Sequence, residues 1–376
     1  MEKTNRLFGL DIVRCCAIVL VMINHSSTFL PAFKSKWSIA FFSGFLGVEL
    51  FFCLSGFLIG TILIKVINNS NAGIKDILSF WTKRWFRTIP IYWVCLLLYA
   101  ICFLVTKFPE FGEISFPVFL RYPFFLQNLF YYHPPFFEVS WSLCIEEWFY
   151  LIFPVILFIV LILFKRKKSS VLLTIGIIVL SAFVIRLLMY FHLTHQGGSF
   201  DYSWDRGLRK MVIFRLDATV YGVLLAYANY YYRKTLTDHK RLITLTGGFL
   251  FLLGCTFFVI YGEANKFNFW SVVLAFPLVN LGFSMLLINF FDIQKGARFR
   301  RLFNLVERIS LISYSVYLLH FTLWCFFAHY YSPDYPLWIK LLIFTGFWVI
   351  TYFASVFTYT YIEKPVLRYR DRLTAK

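Results

Sequence analysis

Charge is scarce in this chain, and acidic charge scarcer still. Only 15% of its 376 residues are charged, with 19 Asp and Glu against 37 Lys and Arg. A soluble domain carries roughly a quarter of its residues as charges, so the shortage excludes that class. Cysteine in functional spacing is lacking too. The eight cysteines (15, 16, 53, 95, 102, 144, 255 and 325) show no Cys-x-x-Cys pair and no Cys/His metal spacing. No metal site is expected from them, and they read as small buried hydrophobes. The chain has no visible internal repeat, which counts against transporters built from inverted halves. It also has no long polar stretch able to form an appended soluble domain, so residues 1–376 read as one membrane domain.

Apolar length stands in place of charge. The chain is 60% hydrophobic and 22% aromatic, with a mean hydropathy of +0.70, and several runs reach the ~20 residues that span a bilayer. About ten spans are expected, at 10–30, 42–64, 89–106, 147–164, 171–192, 211–229, 243–261, 270–289, 311–329 and 339–361. The expected fold class is therefore all-α, a polytopic transmembrane helix bundle. The basic start before an apolar run resembles a signal peptide. The run is long, however, and no small-residue cleavage pattern follows, so it reads as a retained first helix. A cytoplasmic N-terminus puts 25 of the 37 cations on that side and 9 on the other, with Arg14, Arg186 and Arg215 inside spans. That bias sets both termini in the cytoplasm. The net charge of +18 is then a topology signal, and no nucleic-acid binding is expected.

Within the first span, Arg14 and His25 lie eleven positions apart. On a helix, eleven steps return to within about 20° of the start and advance about 16 Å, so both side chains share one face at different depths. An ionisable group inside a membrane helix costs about 2.5–3.5 kcal/mol on insertion scales, which makes each a functional candidate. Lys83, Arg84 and Arg87 cluster on one side of a helix approaching Pro90. They fit either an anion's phosphates or an anchor on anionic membrane lipid. Ser142 and Glu146 stand one turn apart at the outer end of the fourth span, with Glu147 and Tyr150 beside them. Carboxylates with aromatics there suit a sugar-binding rim or simply a helix start. The outer segment 107–146 is aromatic and proline-rich, unlike a solvated linker, and is expected to pack on the bundle, with a re-entrant piece at 116–130. A second outer segment, 193–210, is polar.

Seven motifs follow one another in order: Leu10-Asp-Ile-Val-Arg14 leading to Asn24-His25, Gly47-Val-Glu49 through Ser55-Gly-Phe, Lys83-Arg84-Trp-Phe-Arg87, Trp141-Ser142 through Glu146-Glu147-Trp-Phe-Tyr150, Phe214-Arg215-Leu-Asp217, Ser313-Tyr314-Ser-Val-Tyr317-Leu-Leu-His320 and Glu363-Lys364-Pro365. In this series the chain resembles the acyltransferase 3 family of membrane O-acyltransferases, over about residues 6 to 370.

The resemblance implies acyl transfer, acetyl foremost, from cytoplasmic acetyl-CoA or another acyl-CoA to a hydroxyl. The acceptor would be a carbohydrate or glycoconjugate outside the membrane, for example a lipopolysaccharide sugar. It implies an integral protein of a bacterial inner membrane. His25 would be the catalytic base, Arg14 a holder of the acyl donor or its developing charge, and Glu49 a partner of His25, of Arg14 or of a cation elsewhere. Lys83, Arg84 and Arg87 would meet the coenzyme phosphates, though the family often shows two closely spaced arginines where this chain has Lys-Arg-x-x-Arg. Ser142, Glu146, Glu147 and Tyr150 would meet the acceptor, arriving between segments 107–146 and 193–210. Direct attack and a covalent acyl-enzyme both stay open. A transporter or flippase for a polar or lipid-linked solute is the competing class. Arg215 and Asp217 point to different sides of their helix and are expected to pair with other helices. Ser55-Gly56 reads as a close helix contact, and His320 as core packing.

Overall fold

The computed structural model describes residues 7–30, 39–69, 73–196, 204–263, 268–295 and 299–374. The 197–203 part of the polar outer segment, including Asp201, lies outside them, as do Lys34 and Lys36. Among the described residues there is no strand. The helices that matter here are α1 (Phe8–Ser26), α2 (Ile39–Asn68), α3 (Ile74–Thr106), α4 (Ser140–Phe164), α5 (Lys167–Gln196), α6 (Val220–Tyr231), α7 (Lys240–Glu263), α8 (Ala275–Leu286), α9 (Arg300–His329), α10 (Leu337–Thr358) and α11 (Lys364–Thr374).

Nine helices among the described residues are long and apolar enough to cross a membrane. The expected tenth span, 211–229, takes another form. A tight turn at Val212–Phe214 and further turns lead into α6, which has 12 residues. At 1.5 Å per residue that is about 18 Å, too short for a ~30 Å hydrocarbon core. The cause is charge. Arg186 of α5 donates to the buried Phe214 carbonyl at 2.8 Å and to both carboxylate oxygens of Asp217 at 2.7 and 2.8 Å. Irregular backbone at membrane depth is tolerated where protein partners satisfy it. The whole 204–231 segment nevertheless runs the length of the bundle. Lys210 at its start joins Glu138, and Tyr231 at its end accepts from Asn68, the last residue of α2.

Contacts fix the helix directions. Asp11 meets Ser310 and His25 meets His320, so α1 and α9 are parallel. Ser315 meets Glu363 while Phe327 meets Phe347, so the chain returns antiparallel through α10. The start of α1 and the C-terminal helix α11 therefore share one end of the bundle. α6 packs parallel to α2 at very close range. A Cβ on Gly56 would lie 1.8 Å from the Thr219 carbonyl oxygen, and one on Gly222 would lie 2.0 Å from the Cys53 carbonyl oxygen. Only glycine fits at either position, which is the close contact that Ser55-Gly56 signals.

Leu97, Leu104, Ile162, Leu180, Phe249 and Phe353 are exposed along α3, α4, α5, α7 and α10, as lipid-facing residues should be. α1 lies at the centre, where Val13, Ala17, Ile18 and Val21 are buried. The aromatic segment after α3 is packed as expected. Phe111, Tyr122, Phe136 and Phe137 are fully buried, and Tyr92 and Tyr99 of α3 donate to its Tyr122 and Phe111 carbonyls at 3.0 Å each. Phe136 and Phe137 stand immediately before Glu138 and α4, so this packing sets the ceiling of the site.

Candidate active site

α1 delivers Arg14 and His25 to different cavities. Arg14 lines a cavity with Arg84, Arg87, Ser142, Glu146 and Tyr150. His25 lines a second, with Glu138, Trp141, Asp205, Arg209 and Lys210. The first lies toward the end of the bundle that holds α11, the second toward the end capped by the aromatic segment. Val48 and Tyr317 line both.

In the arginine cavity, the Arg14 guanidinium lies 3.5 Å from Asp11 and donates to Ser310 Oγ at 3.2 Å, while Ser310 donates to Asp11 at 2.7 Å. This triangle orients Arg14 from below. α3 brings Arg84 and Arg87 in because the helix runs unbroken from Ile74 to Thr106 through Pro90. Among the described residues neither Arg84 nor Arg87 has a carboxylate within ion-pair distance. Arg84 sits over the Tyr150 ring at 6.0 Å. Tyr150 donates to Glu146 at 3.0 Å and shares a 2.6 Å hydrogen bond with the Ser55 hydroxyl. A wall with three guanidinium groups and one carboxylate suits a polyanion such as a coenzyme's phosphates.

Several expected residues sit elsewhere than the sequence suggests. Ser142, Glu146 and Tyr150 line the arginine cavity instead of an outer rim. The reason is the helix start. α4 begins at Ser140, seven residues before the expected 147, so Glu146 and Tyr150 lie about 9 and 15 Å below its outer end. Glu147 is buried and lines neither cavity. Lys83 is exposed, and its carbonyl accepts from Arg370 of α11 at 3.5 Å. Glu49 is fully buried and, of its three expected partners, takes the cation elsewhere in the bundle, neither His25 nor Arg14. Both its oxygens accept from Arg215 at 2.6 Å, and Asn280 donates to one of them at 2.8 Å. Its position in the second span faces α6 and α8, away from α1's polar face. Arg215 and Asp217 do pair with separate helices, as expected.

In the second cavity His25 is packed against rings. Its ring centroid lies 5.0 Å from His320, 5.3 Å from Phe321 and 6.1 Å from Trp324. His320 is fully buried, with Nδ1 3.1 Å from the Val316 carbonyl, which places its proton there, and no partner for Nε2 among the described residues. The polar side is an ion-pair lattice. Glu138 binds Arg206 at 2.6 Å and Lys210 at 2.9 Å, and Lys210 also reaches Asp205 at 2.7 Å. Asp205 pairs with Arg209, whose guanidinium lies 4.7 Å over the Trp141 ring. Burial alone would raise the Glu138 carboxyl, but the paired Lys210 and Arg206 hold it down at about 2. The Asp205 carboxyl is likewise lowered against its burial, by Arg209 and Lys210. His133 beneath them is pushed down to about 3 by burial, and stays neutral.

Sequence reasoning missed Tyr317, Glu138 and the Asp205–Lys210 turn as cavity-lining residues, while His320, fully buried and lining neither cavity, is packed in the core as expected. Tyr317 and His320 are three residues apart on one helical face, a signal hidden in an otherwise aromatic span. Glu138 carried none, because only folding brings it to Lys210, 72 positions away. Among the described residues no group of three or more His, Cys, Asp or Glu is placed to hold a metal ion.

A family profile for the acyltransferase domain matches residues 7–360. The chain is 25% identical over 387 residues to the O-acetyltransferase OatA of Staphylococcus aureus strain NCTC 8325, and equally to OatA of strain COL. A provisionally named O-acetyltransferase of strain COL is 26% identical over 382 residues. Each alignment covers 97% of this chain and 58% of the relative, so the chain spans little more than half the length of the curated relatives it matches. No solved structure matches. With the profile covering nearly its whole length, the chain belongs to the acyltransferase 3 family.

Proposed function

We propose that this protein is a membrane O-acyltransferase, acetyl its first expected cargo, working from acyl-CoA on the cytoplasmic face to a hydroxyl acceptor on the other. The acceptor is a carbohydrate or glycoconjugate of the bacterial cell envelope, and the membrane is the inner one. The observation that carries this reading is the division of α1: Arg14 in a cationic cavity and His25 in the adjoining one. The cationic cavity opens toward the end of the bundle that the positive-inside bias assigns to the cytoplasm. Coenzyme phosphates lie against Arg84 and Arg87, Arg14 neutralises the donor near the thioester, and the chain reaches up toward Val48 and Tyr317. The acceptor comes in past Glu138, Trp141, Asp205 and Arg209. His25 takes the proton of the attacking hydroxyl, the ester forms, and the thiolate leaves with that proton. Direct attack is favoured because the cavity-lining serines are not activated: Ser55 is tied to Tyr150 and Ser142 to Tyr317, neither to an imidazole among the described residues.

The test uses sealed inside-out vesicles carrying the full chain and a lumenal extract of envelope glycans. Acetyl-CoA added outside is expected to acetylate the lumenal glycans and release coenzyme A outside. His25→Ala should lose about 10²–10⁴ in rate, the range of positioned general bases, while coenzyme A binding persists. Product only on an acceptor that shares the donor's compartment would refute transfer across the bilayer. Passage of solute without coenzyme A release would return the chain to the carrier class.

A further inference from the structure

The proposed reaction needs the thioester carbon and the acceptor hydroxyl to meet, yet the donor and acceptor cavities are separate. Their common wall is small, since Val48 and Tyr317 are the residues that line both. Val48 has no polar side-chain atom. The Tyr317 hydroxyl is therefore the one side-chain donor in that shared wall. It donates to the Val139 carbonyl at 3.1 Å and lies 2.6 Å from the Ser142 hydroxyl, which itself reaches Val139 only at 3.5 Å. α9 places it three residues before His320, with ring centroids 5.7 Å apart, and His320 packs on His25.

Resting on the acyl-transfer reading, we propose that Tyr317 is a catalytic residue, its hydroxyl donating a hydrogen bond to the thioester oxygen as the tetrahedral adduct forms. The acceptor oxygen bonds to the carbonyl carbon and its proton passes to His25. The carbonyl oxygen gains negative charge, and the Tyr317 O–H turns from Val139 to that oxygen, with Ser142 free to donate to Val139 in its place. The adduct collapses, the C–S bond breaks, and the thiolate recovers the proton from His25. The step is redox-neutral, and Tyr317 gives up no proton. A ring in the partition keeps water from crossing between the cavities, while its hydroxyl acts where charge develops. Hydrogen bonds aimed at such charge strengthen in the transition state far more than in the ground state.

The experiment compares the full-length parent with Tyr317→Phe and Tyr317→His in the vesicle assay, together with thermal unfolding and coenzyme A binding. Tyr317→Phe keeps the ring and so the partition. It is expected to lose about 10²–10³ in kcat, the usual effect of removing one such donor. Its KM for acetyl-CoA and its coenzyme A affinity should stay within about twofold of the parent. Tyr317→His restores an N–H donor on a ring and should recover at least tenfold over the Phe variant, a comparison that holds even if both melt lower. A Phe variant within threefold of the parent, a loss confined to KM, or a His variant no better than Phe would overturn the proposal. A parent that transfers nothing to the glycans would overturn the acyl-transfer reading itself, and is seen before any variant is made.

Discussion

The two cavities hold similar numbers of charges and treat them in opposite ways. Around His25, Glu138, Asp205, Arg206, Arg209 and Lys210 are interlocked, each within 3 Å of an opposite charge. In the arginine cavity, Arg84 and Arg87 face a chamber with no carboxylate at ion-pair distance among the described residues. A half-buried cation without a counter-charge in the protein is open to a ligand that supplies one. A saturated lattice does something else: it holds a shape and offers hydrogen-bonding edges without demanding a charged ligand. Under the proposed function, that difference suits a polyanionic donor in one cavity and a neutral, hydroxyl-rich acceptor in the other. Glu49–Arg215 and Arg186–Asp217 form a third, fully enclosed kind, matched and away from both cavities.

The largest effect should come from breaking that enclosed kind. Arg215→Met or Glu49→Gln alone is expected to lower stability by about 3–5 kcal/mol, because each leaves a buried group without its partner. Thermal unfolding in detergent measures it. The double variant Glu49→Leu/Arg215→Met should recover most of the loss. A folded double variant that has lost transfer would place Glu49 back among the reacting groups.

A smaller effect, confined to one substrate, is expected from the unmatched cations. Arg84→Gln with Arg87→Gln should raise the KM for acetyl-CoA about tenfold or more and leave the KM for the acceptor nearly unchanged. Charge-assisted hydrogen bonds to phosphate are worth about 1.5–3 kcal/mol each, and uniform binding shows in KM. An unchanged donor KM would make these arginines anchors on anionic lipid.

The smallest effect concerns the lattice and pH. The Glu138 carboxyl is held near 2 in the fold against an ordinary value of 4.5. A lowered acid stabilises the folded state fully above its unfolded value, and that stability disappears as pH falls through the folded value. The melting difference between the parent and Glu138→Gln should therefore be full above about pH 4.5 and shrink toward pH 2. A difference that is constant with pH would mean that Glu138 acts by shape and not by charge.

Much of this organisation was legible beforehand because it rests on periodicity and hydropathy. Arg14 and His25 share a face of α1 as their eleven-residue spacing requires, and the Ser55-Gly56 contact followed from residue size. Two kinds of information were hidden. Helix starts are hard to read where apolar and polar residues mix, so the depth of Glu146 and Tyr150 below the start of α4, in the arginine cavity, was hidden. That Glu49, Arg215 and Asp217 pair across the bundle was readable, but not with which residue: Glu49 finds Arg215 166 positions away, and spacing rules reach only one or two turns. The break before α6 combines both. A run hydropathic enough to be read as one span is bent by charges whose partners are distant in sequence.

That break has a consequence for how the chain is made. A piece with 12 helical residues, carrying Arg215 and Asp217 just ahead of it, has little claim to dissolve in lipid alone, since each charge would cost about 2.5–3.5 kcal/mol. Its counter-charges are Glu49 on α2 and Arg186 on α5, and both precede it in the order of synthesis. When the ribosome delivers residues 212–231, the anion and the cation they pair with have already been made. The groove that α2's Gly56 leaves open is waiting as well. The earlier helices serve as a receptor for the later one, and chain order becomes a schedule for moving charge into oil.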